Sequence, residues 1–116
     1  MKNDKENIIV KLTLEFALDI IEYTELLEEH KKYVVATQLL KSGTSIGANV
    51  HEAQNAESRI DFVHKMKVAA KEANETEYWL LLCQFSKNYP KNEKLNEKLQ
   101  IIMSVLSKII ITSKKN

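Results

Sequence analysis

The sequence predicts an all-α protein, an up-down-up-down antiparallel four-helix bundle with long helices. The chain has only 2 glycines and 1 proline in 116 residues, so little interrupts a helical backbone. Apolar residues recur every three to four positions along almost its whole length, which is the spacing of one face of an α-helix. Four such stripes joined by short connections indicate one domain over residues 1–116.

The first two predicted helices cover residues 7–29 and 33–55. In the first, an apolar stripe runs from Ile9 to Leu27, and the opposite face is acidic. No glycine or proline marks the turn at 30–32, which is inferred from the change of stripe and charge. The second helix has an apolar stripe and, beside it, a face of small and polar residues: Ser42, Ser45, Asn49 and Glu52.

Both glycines of the chain, Gly43 and Gly47, lie one turn apart inside the second helix. A glycine in a helix interior costs about 1 kcal/mol relative to alanine, so a neighbouring element is expected to approach this backbone closely. The alanine-rich segment 69–73 of the third helix is small enough to be that neighbour. We therefore expect a role in helix packing or assembly for Gly43, Ser45, Gly47, Asn49, Glu52, Ala69, Ala73 and Glu75.

The last two predicted helices cover residues 59–86 and 93–112. Ser58 followed three residues later by Asp61 resembles a capping box, which predicts the start of the third helix. Pro90 disfavours helical geometry in the residue before it and separates the two helices.

Helices of this length would make a slender rod with much lateral surface. Apolar residues outside the main stripes exceed what one four-helix core readily absorbs, so either the stripes are wide or a second interface exists. We favour subunit contact, and hence a homo-oligomer. These residues are Ile21, Leu26, Val34, Val63, Trp79, Leu82, Ile101, Val105 and Ile110.

Charge is unevenly distributed although the net charge is only +1. Residues 1–86 carry 10 Lys or Arg against 14 Asp or Glu, whereas residues 87–116 carry 7 Lys against 2 Glu. The simplest reading is a solvated helix face with a basic tail; the alternative is a surface for an acidic partner such as RNA. The candidate nucleic-acid contacts are Lys41, Arg59, Lys65, Lys94 and Lys98.

Composition also predicts the setting of the protein. No apolar run approaches the roughly 18 residues needed to cross a bilayer, and no signal-peptide segment opens the chain. A cytoplasmic location without membrane contact is therefore expected. The single cysteine, Cys83, lies among leucines and is interpreted as a buried thiol.

No motif for catalysis or metal binding is complete. A di-metal site in a helical bundle needs two Glu-x-x-His motifs, and the nearest spacing, Asp61-x-x-His64, occurs once. We therefore expect no enzymatic activity, cofactor or metal, and we interpret the mid-helix polar residues as a hydrogen-bond network between helices or subunits. The alternative is an enzyme or metal site built from Glu52, His64, Glu72 and Glu75.

Residues 38–82 carry a resemblance to a known family. They read QLLKSGTSIGANVHEAQNAESRIDFVHKMKVAAKEANETEYWLLL. This stretch resembles the four-helix bundle family of the 23S ribosomal RNA intervening-sequence protein, once mislabelled a ribosomal protein. The resemblance implies a ring-like homopentamer with no established enzymatic activity, distantly similar to the accessory protein of diversity-generating retroelements, which engages reverse transcriptase and RNA. The family often has arginine where this chain has Lys41 and His51, which weakens any phosphate-binding role there.

The sequence leads to two principal hypotheses. The first is a non-enzymatic homo-oligomeric scaffold whose molecular role is not established. The second is an RNA or ribonucleoprotein accessory factor that binds nucleic acid through basic surfaces of the oligomer.

Overall fold

Four helices make up the protein in a computed structural model that describes residues 4–114, and this part of the chain contains no strand. The terminal residues of the predicted domain, 1–3 and 115–116, lie outside the described range. The observed helix bounds differ from the predicted ones by at most three residues. They are α1 (Asp4–Glu29), α2 (Tyr33–Ala53), α3 (Arg59–Phe85) and α4 (Glu93–Lys114).

The helices form a bundle in which each packs against two neighbours. The backbones of α1 and α3 each lie against those of α2 and α4, whereas across the diagonals the described helices meet only through side chains, as at Tyr23 of α1 and Cys83 of α3. Gly43 of α2 lies against Ile20 of α1, and Gly47 lies against Thr13. From Gly43 to Gly47 the residue number rises along α2, whereas the contacted residue on α1 changes from Ile20 to Thr13. The two helices are therefore antiparallel. The bundle is a rod of 48 × 20 × 19 Å, as expected for long helices joined by short connections.

A single apolar core runs along the axis of the rod. The predicted stripes supply it, and the largest completely buried side chains come from all four helices. They include Phe16, Ile20, Leu39, Ile46, Met66, Leu99 and Leu106. Burying a side chain of this size contributes about 1.5–3 kcal/mol relative to leaving it exposed, so this core dominates the stability of the fold.

The turn between α1 and α2 is a Schellman motif without a glycine. Lys31 adopts the left-handed region at φ 63°. Its amide donates to the carbonyl of Glu28, and the next amide, of Lys32, donates to the carbonyl of Leu27. These bonds satisfy carbonyls at the end of α1 that have no partner within the helix. The sharp reversal needed for antiparallel packing therefore rests on a lysine in a conformation that usually favours glycine.

The predicted cap at the start of α3 is confirmed. The Ser58 hydroxyl accepts a 3.0 Å hydrogen bond from the amide of Asp61. The Asp61 carboxylate in turn accepts from the amide of Glu57 and from the ammonium group of Lys65, 3.0 Å away. The hydrogen bond from Lys65, followed by that from Glu57, lowers the pKa of Asp61.

Long-range hydrogen bonds fix the connection between α3 and α4. The buried Tyr23 hydroxyl of α1 donates to the carbonyl of Pro90 at 2.7 Å. The Lys91 ammonium group donates to the carbonyls of Cys83 and Ser86 at the end of α3, where a positive charge is favoured by the helix dipole. Cys83 is buried beside Tyr23, and burial raises the pKa of both side chains.

The predicted packing of α2 on α3 is confirmed, but the atoms nearest to the two glycines do not belong to the alanines of α3. A Cβ atom added at Gly43 would lie 2.9 Å from two side-chain carbons of Ile20, and one at Gly47 would lie 3.2 Å from the carbonyl oxygen of Thr13. Both neighbours belong to α1. The second helix does pack on α3, but it does so through another side of its stripe, where Ser42 contacts Thr76.

Candidate assembly surface

Exposed apolar side chains gather on the outer side of the contact between α1 and α2. On α1, Leu14 is 61% exposed and Leu18 is 59% exposed, and Ile21 follows one turn later. On α2, the exposed Leu40 and Ala48 continue the same surface. We call this surface, formed by Leu14, Leu18, Ile21, Leu40, Thr44 and Ala48, the α1–α2 face.

The geometry of the two helices brings these residues to one side. Leu14 and Ile21 each follow an α1 residue that touches a glycine of α2, namely Thr13 and Ile20. Thr44 and Ala48 in turn follow Gly43 and Gly47. In an antiparallel pair, one step forward along either helix turns the side chain toward the same outer surface. The close approach at the glycines also makes the groove between the two rows shallow.

The six residues of the α1–α2 face carry no charge, although Glu15 and Asp19 on α1 and Lys41 on α2 lie within the ranges that they span. Between Tyr33 and Val50 the only charged residue is Lys41. On α1, the only charged residue between Phe16 and Ile21 is Asp19, which is turned toward α4 and forms an ion pair with Lys98. A helix facing water normally carries polar side chains on its outer surface, so the α1–α2 face is the candidate interaction surface of the subunit.

Sequence reasoning missed most of this face. Of the surplus apolar residues it listed, Leu26, Trp79, Val105 and Ile110 pack on the core, and Val63 and Leu82 are half-buried. Ile21, Val34 and Ile101 are exposed. Most of the apolar residues outside the main stripes are therefore at least partly buried within the subunit, because the buried side of each helix is wider than its main stripe. The better signal was the run of eighteen residues from 33 to 50 with a single charge.

The predicted polar packing residues occupy a different side of α2 and α3. Ser45 donates to the carbonyl of Lys41, and the Asn49 amide donates to the carbonyl of Ser45, so both bond within their own helix. Glu52 and Glu75 are exposed, and Glu75 accepts from the indole of Trp79. Within one copy of the chain, Ser45, Asn49 and Glu75 bond inside their own helices, and of the mid-helix acids Glu77 of α3 reaches another helix by accepting from the Gln100 amide of α4. Glu52 and Glu75 are free to meet solvent or a second copy.

The buried polar contact between these helices is a pair that the sequence did not single out. Ser42 and Thr76 are completely buried, with their hydroxyl oxygens 3.0 Å apart. The predicted packing residues Ala69 and Ala73 are buried on the same helix as Thr76.

The five candidate nucleic-acid residues do not form one surface. Lys65 is paired with Asp61, and Lys98 is paired with Asp19. Arg59 donates to the carbonyl of Ser113. Lys41 and Lys94 are exposed on different helices. The groove between α1 and α4, of about 460 Å³, is lined by more acids than lysines and so has no excess of positive charge: Asp19, Glu22, Glu25 and Glu29 with Lys91, Lys94 and Lys98.

The alternative enzyme or metal site is not assembled. Glu52, His64 and Glu75 are exposed, and Glu72 is half-buried. Among the described residues, no three His, Cys, Asp or Glu side chains are grouped so that they could hold a metal ion. None of the described helices is long and apolar enough to pass through a membrane.

Comparison with known proteins gives the same family as the resemblance of residues 38–82. The family model described as "23S rRNA-intervening sequence protein" matches residues 5–111. The fold is similar to a crystal structure from Bacteroides thetaiotaomicron, a protein of unknown function from the S23 ribosomal protein family, at a TM-score of 0.85 and 44% identity. The match covers 91% of this chain and 97% of that one. No protein of curated function matches the sequence.

Proposed function

The chain belongs to the 23S rRNA-intervening sequence protein family, and we propose that it acts as a non-enzymatic homo-oligomeric scaffold assembled through the α1–α2 face. The proposed oligomer is a ring-like pentamer, the state that the family resemblance implies. The proposed location is the cytoplasm.

One observation supports assembly above all others: an apolar surface made of uncharged residues spans two adjacent helices of a small domain. Leu14 and Leu18 are each more than half exposed, although every large side chain of the core stripe on α1 is buried. Covering such side chains yields about 25 cal/mol for each Å² removed from water, so a second copy would gain most by docking here. Surfaces of this kind mark interaction sites on soluble proteins.

A ring places a further requirement on the partner surface. In a closed ring of identical subunits, each α1–α2 face meets a different surface of the next copy. Exposed apolar residues on α3, among them Tyr78, Leu81 and Phe85, offer such a second surface. In a two-fold dimer, by contrast, the α1–α2 face would meet itself. The number of copies therefore distinguishes the two arrangements.

The proposal is tested by placing a charge in the α1–α2 face. Leu18→Lys and Leu14→Lys should each lower the molar mass measured by light scattering after size exclusion, because a lysine buried in an apolar interface loses its hydration. Both sites are exposed in the single subunit, so the fold itself should remain intact. Ile60→Lys is the matched control, because Ile60 is 84% exposed and lies in the first turn of α3. Equal masses for all three variants and the unaltered chain would contradict the proposed interface.

A further inference from the structure

A row of basic residues follows the first half of α3 and is joined by the end of α4. Residues 59–71 carry four basic side chains and one acid, and residues 101–114 carry two lysines and no acid. The Arg59 guanidinium group donates to the carbonyl of Ser113 at 3.3 Å, which ties the start of α3 to the end of α4. We call Arg59, Lys67, Lys71 and Lys114 the α3–α4 basic edge.

The charges of this edge are not neutralised by the protein. The acid of the segment, Asp61, is already paired with Lys65, and no described residue of the basic edge forms an ion pair. Lys67 and Lys114 are exposed and lie close enough that the ammonium group of Lys67 lowers the pKa of Lys114. Two like charges held together at a surface repel each other, and a bound anion relieves that repulsion.

The shape of the edge favours a polymeric anion over a small one. From Arg59 to Lys71 the helix rises about 18 Å at 1.5 Å per residue, so the cations form a line. The neighbouring groove between α3 and α4 is lined by Ala70, Asn74, Met103, Ser107, Ile110 and Ile111, none of them charged. The cations of the edge are therefore not part of the lining of this groove. A nucleic-acid strand carries one phosphate per about 3.4 Å, so a line of this length can meet several phosphates at once.

We propose that the α3–α4 basic edge binds the phosphodiester backbone of nucleic acid. Binding at the edge is independent of base sequence, because flexible ammonium groups contact phosphates as point charges and no described aromatic side chain belongs to the edge. It does not include any residue of the α1–α2 face. Lys71 lies seven residues before Tyr78 on the same side of α3, however, so the edge adjoins the second surface of the proposed ring, and the molar mass of the basic-edge variant is measured beside its binding. In an oligomer the edge is repeated in every copy, which raises the apparent affinity for a long strand.

Fluorescence anisotropy of a labelled, unstructured 20-nucleotide RNA at several KCl concentrations tests this proposal. The unaltered chain should bind. The logarithm of its binding constant should fall with the logarithm of the KCl concentration, with a slope of about −0.7 for each phosphate contacted. The double variant Lys67→Ala/Lys114→Ala should weaken binding by about tenfold or more and make the slope shallower by about one to two. The matched control is Lys87→Ala/Lys94→Ala, which removes two exposed lysines from the other end of the rod.

Four outcomes would overturn the proposal. The first is that the unaltered chain does not bind the RNA at 50 mM KCl, and the second is that both double variants lose the same RNA affinity. The third is that poly-glutamate binds as tightly as RNA. The fourth is that the basic-edge variant loses RNA affinity only because its molar mass has changed. A DNA strand of the same sequence should bind as RNA does, since the contacts are to phosphates. If Leu18→Lys abolishes assembly, each subunit should still bind RNA with the same salt dependence. Failure of the proposed scaffold can therefore be distinguished from failure of this inference.

Discussion

The hydroxyl groups of Ser42 on α2 and Thr76 on α3 lie 3.0 Å apart in a fully buried part of the bundle. The Thr76 oxygen is also 2.8 Å from the carbonyl of Glu72 in its own helix. A threonine hydroxyl has one hydrogen and can accept as well, so the two contacts are satisfied together when Ser42 donates to Thr76. This pair fixes the register of the two helices at a site where purely apolar residues would permit sliding.

Thr76→Val should destabilise the fold by about 1–3 kcal/mol, because it keeps the shape of the side chain but leaves the buried Ser42 hydroxyl without this partner. Urea unfolding at one fixed protein concentration measures the loss. Thr37→Val is the control, since its hydroxyl is exposed and bonds within α2, and Thr37 is not part of the α1–α2 face. In the double variant Ser42→Ala/Thr76→Val the losses should not add, and strict additivity would show that the pair does not interact.

Alanine at Gly43 should destabilise the bundle by about 1 kcal/mol despite its higher helix propensity. The new Cβ atom would lie 2.9 Å from carbons of the buried Ile20 side chain, and overpacking of about 1–3 kcal/mol outweighs a propensity gain of about 1 kcal/mol. Gly47→Ala should lose less, because its nearest contact is 3.2 Å. Comparing Ser104→Ala with Ser104→Gly, at an exposed position in the middle of α4, measures the propensity effect alone. A Gly43→Ala variant more stable than the unaltered chain would refute the close approach of α1.

Lys31→Gly should stabilise the protein by about 1 kcal/mol, because glycine adopts the left-handed region at little steric cost. Lys31→Ala should give no such gain, since it removes the charge but keeps the Cβ atom. Thermal unfolding of both variants at equal protein concentration compares them. If both gained equally, the charge of Lys31 and not its backbone conformation would be responsible.

Stability should fall as the pH rises above about 9. Burial raises the pKa of Tyr23 and of Cys83 in the folded state, whereas in the unfolded chain these groups ionise near pH 10 and 8.5. Above those values the unfolded state binds fewer protons than the folded state, so the free energy of unfolding decreases with pH. Tyr23→Phe should reduce this slope, and Tyr78→Phe, at an exposed site, should not. Identical slopes for the two variants between pH 9 and 11 would contradict the role of Tyr23.

The sequence was sufficient to predict the helices and the start of α3. Apolar spacing identifies which side of each helix is buried, and the Ser58 cap depends on residues only three positions apart. Both are local properties. The turn at Lys31 was located by the change of stripe, but its left-handed conformation has no residue signal, because lysine rarely adopts it.

The sequence did not predict which helix lies against which side of α2. A period of 3.6 residues defines one buried side, and two neighbouring helices share it, so Gly43 was assigned to α3 although it faces Ile20 of α1. For the same reason Glu52 and Glu75 were expected to meet partners across helices although both are exposed in the subunit. Leu14 and Leu18, which we propose for assembly, are exposed on the outer side of α1, where single apolar residues are common on protein surfaces and give no signal in the sequence.

Sedimentation equilibrium of the unaltered chain at micromolar concentrations tests the central claim of assembly most directly. A single chain has a mass of 13.4 kDa, and the proposed ring predicts a discrete species of five times that mass that does not dissociate over a tenfold dilution. A species of twice the chain mass would keep the α1–α2 face as an interface but reject the ring. A single-chain mass at all concentrations would contradict the account.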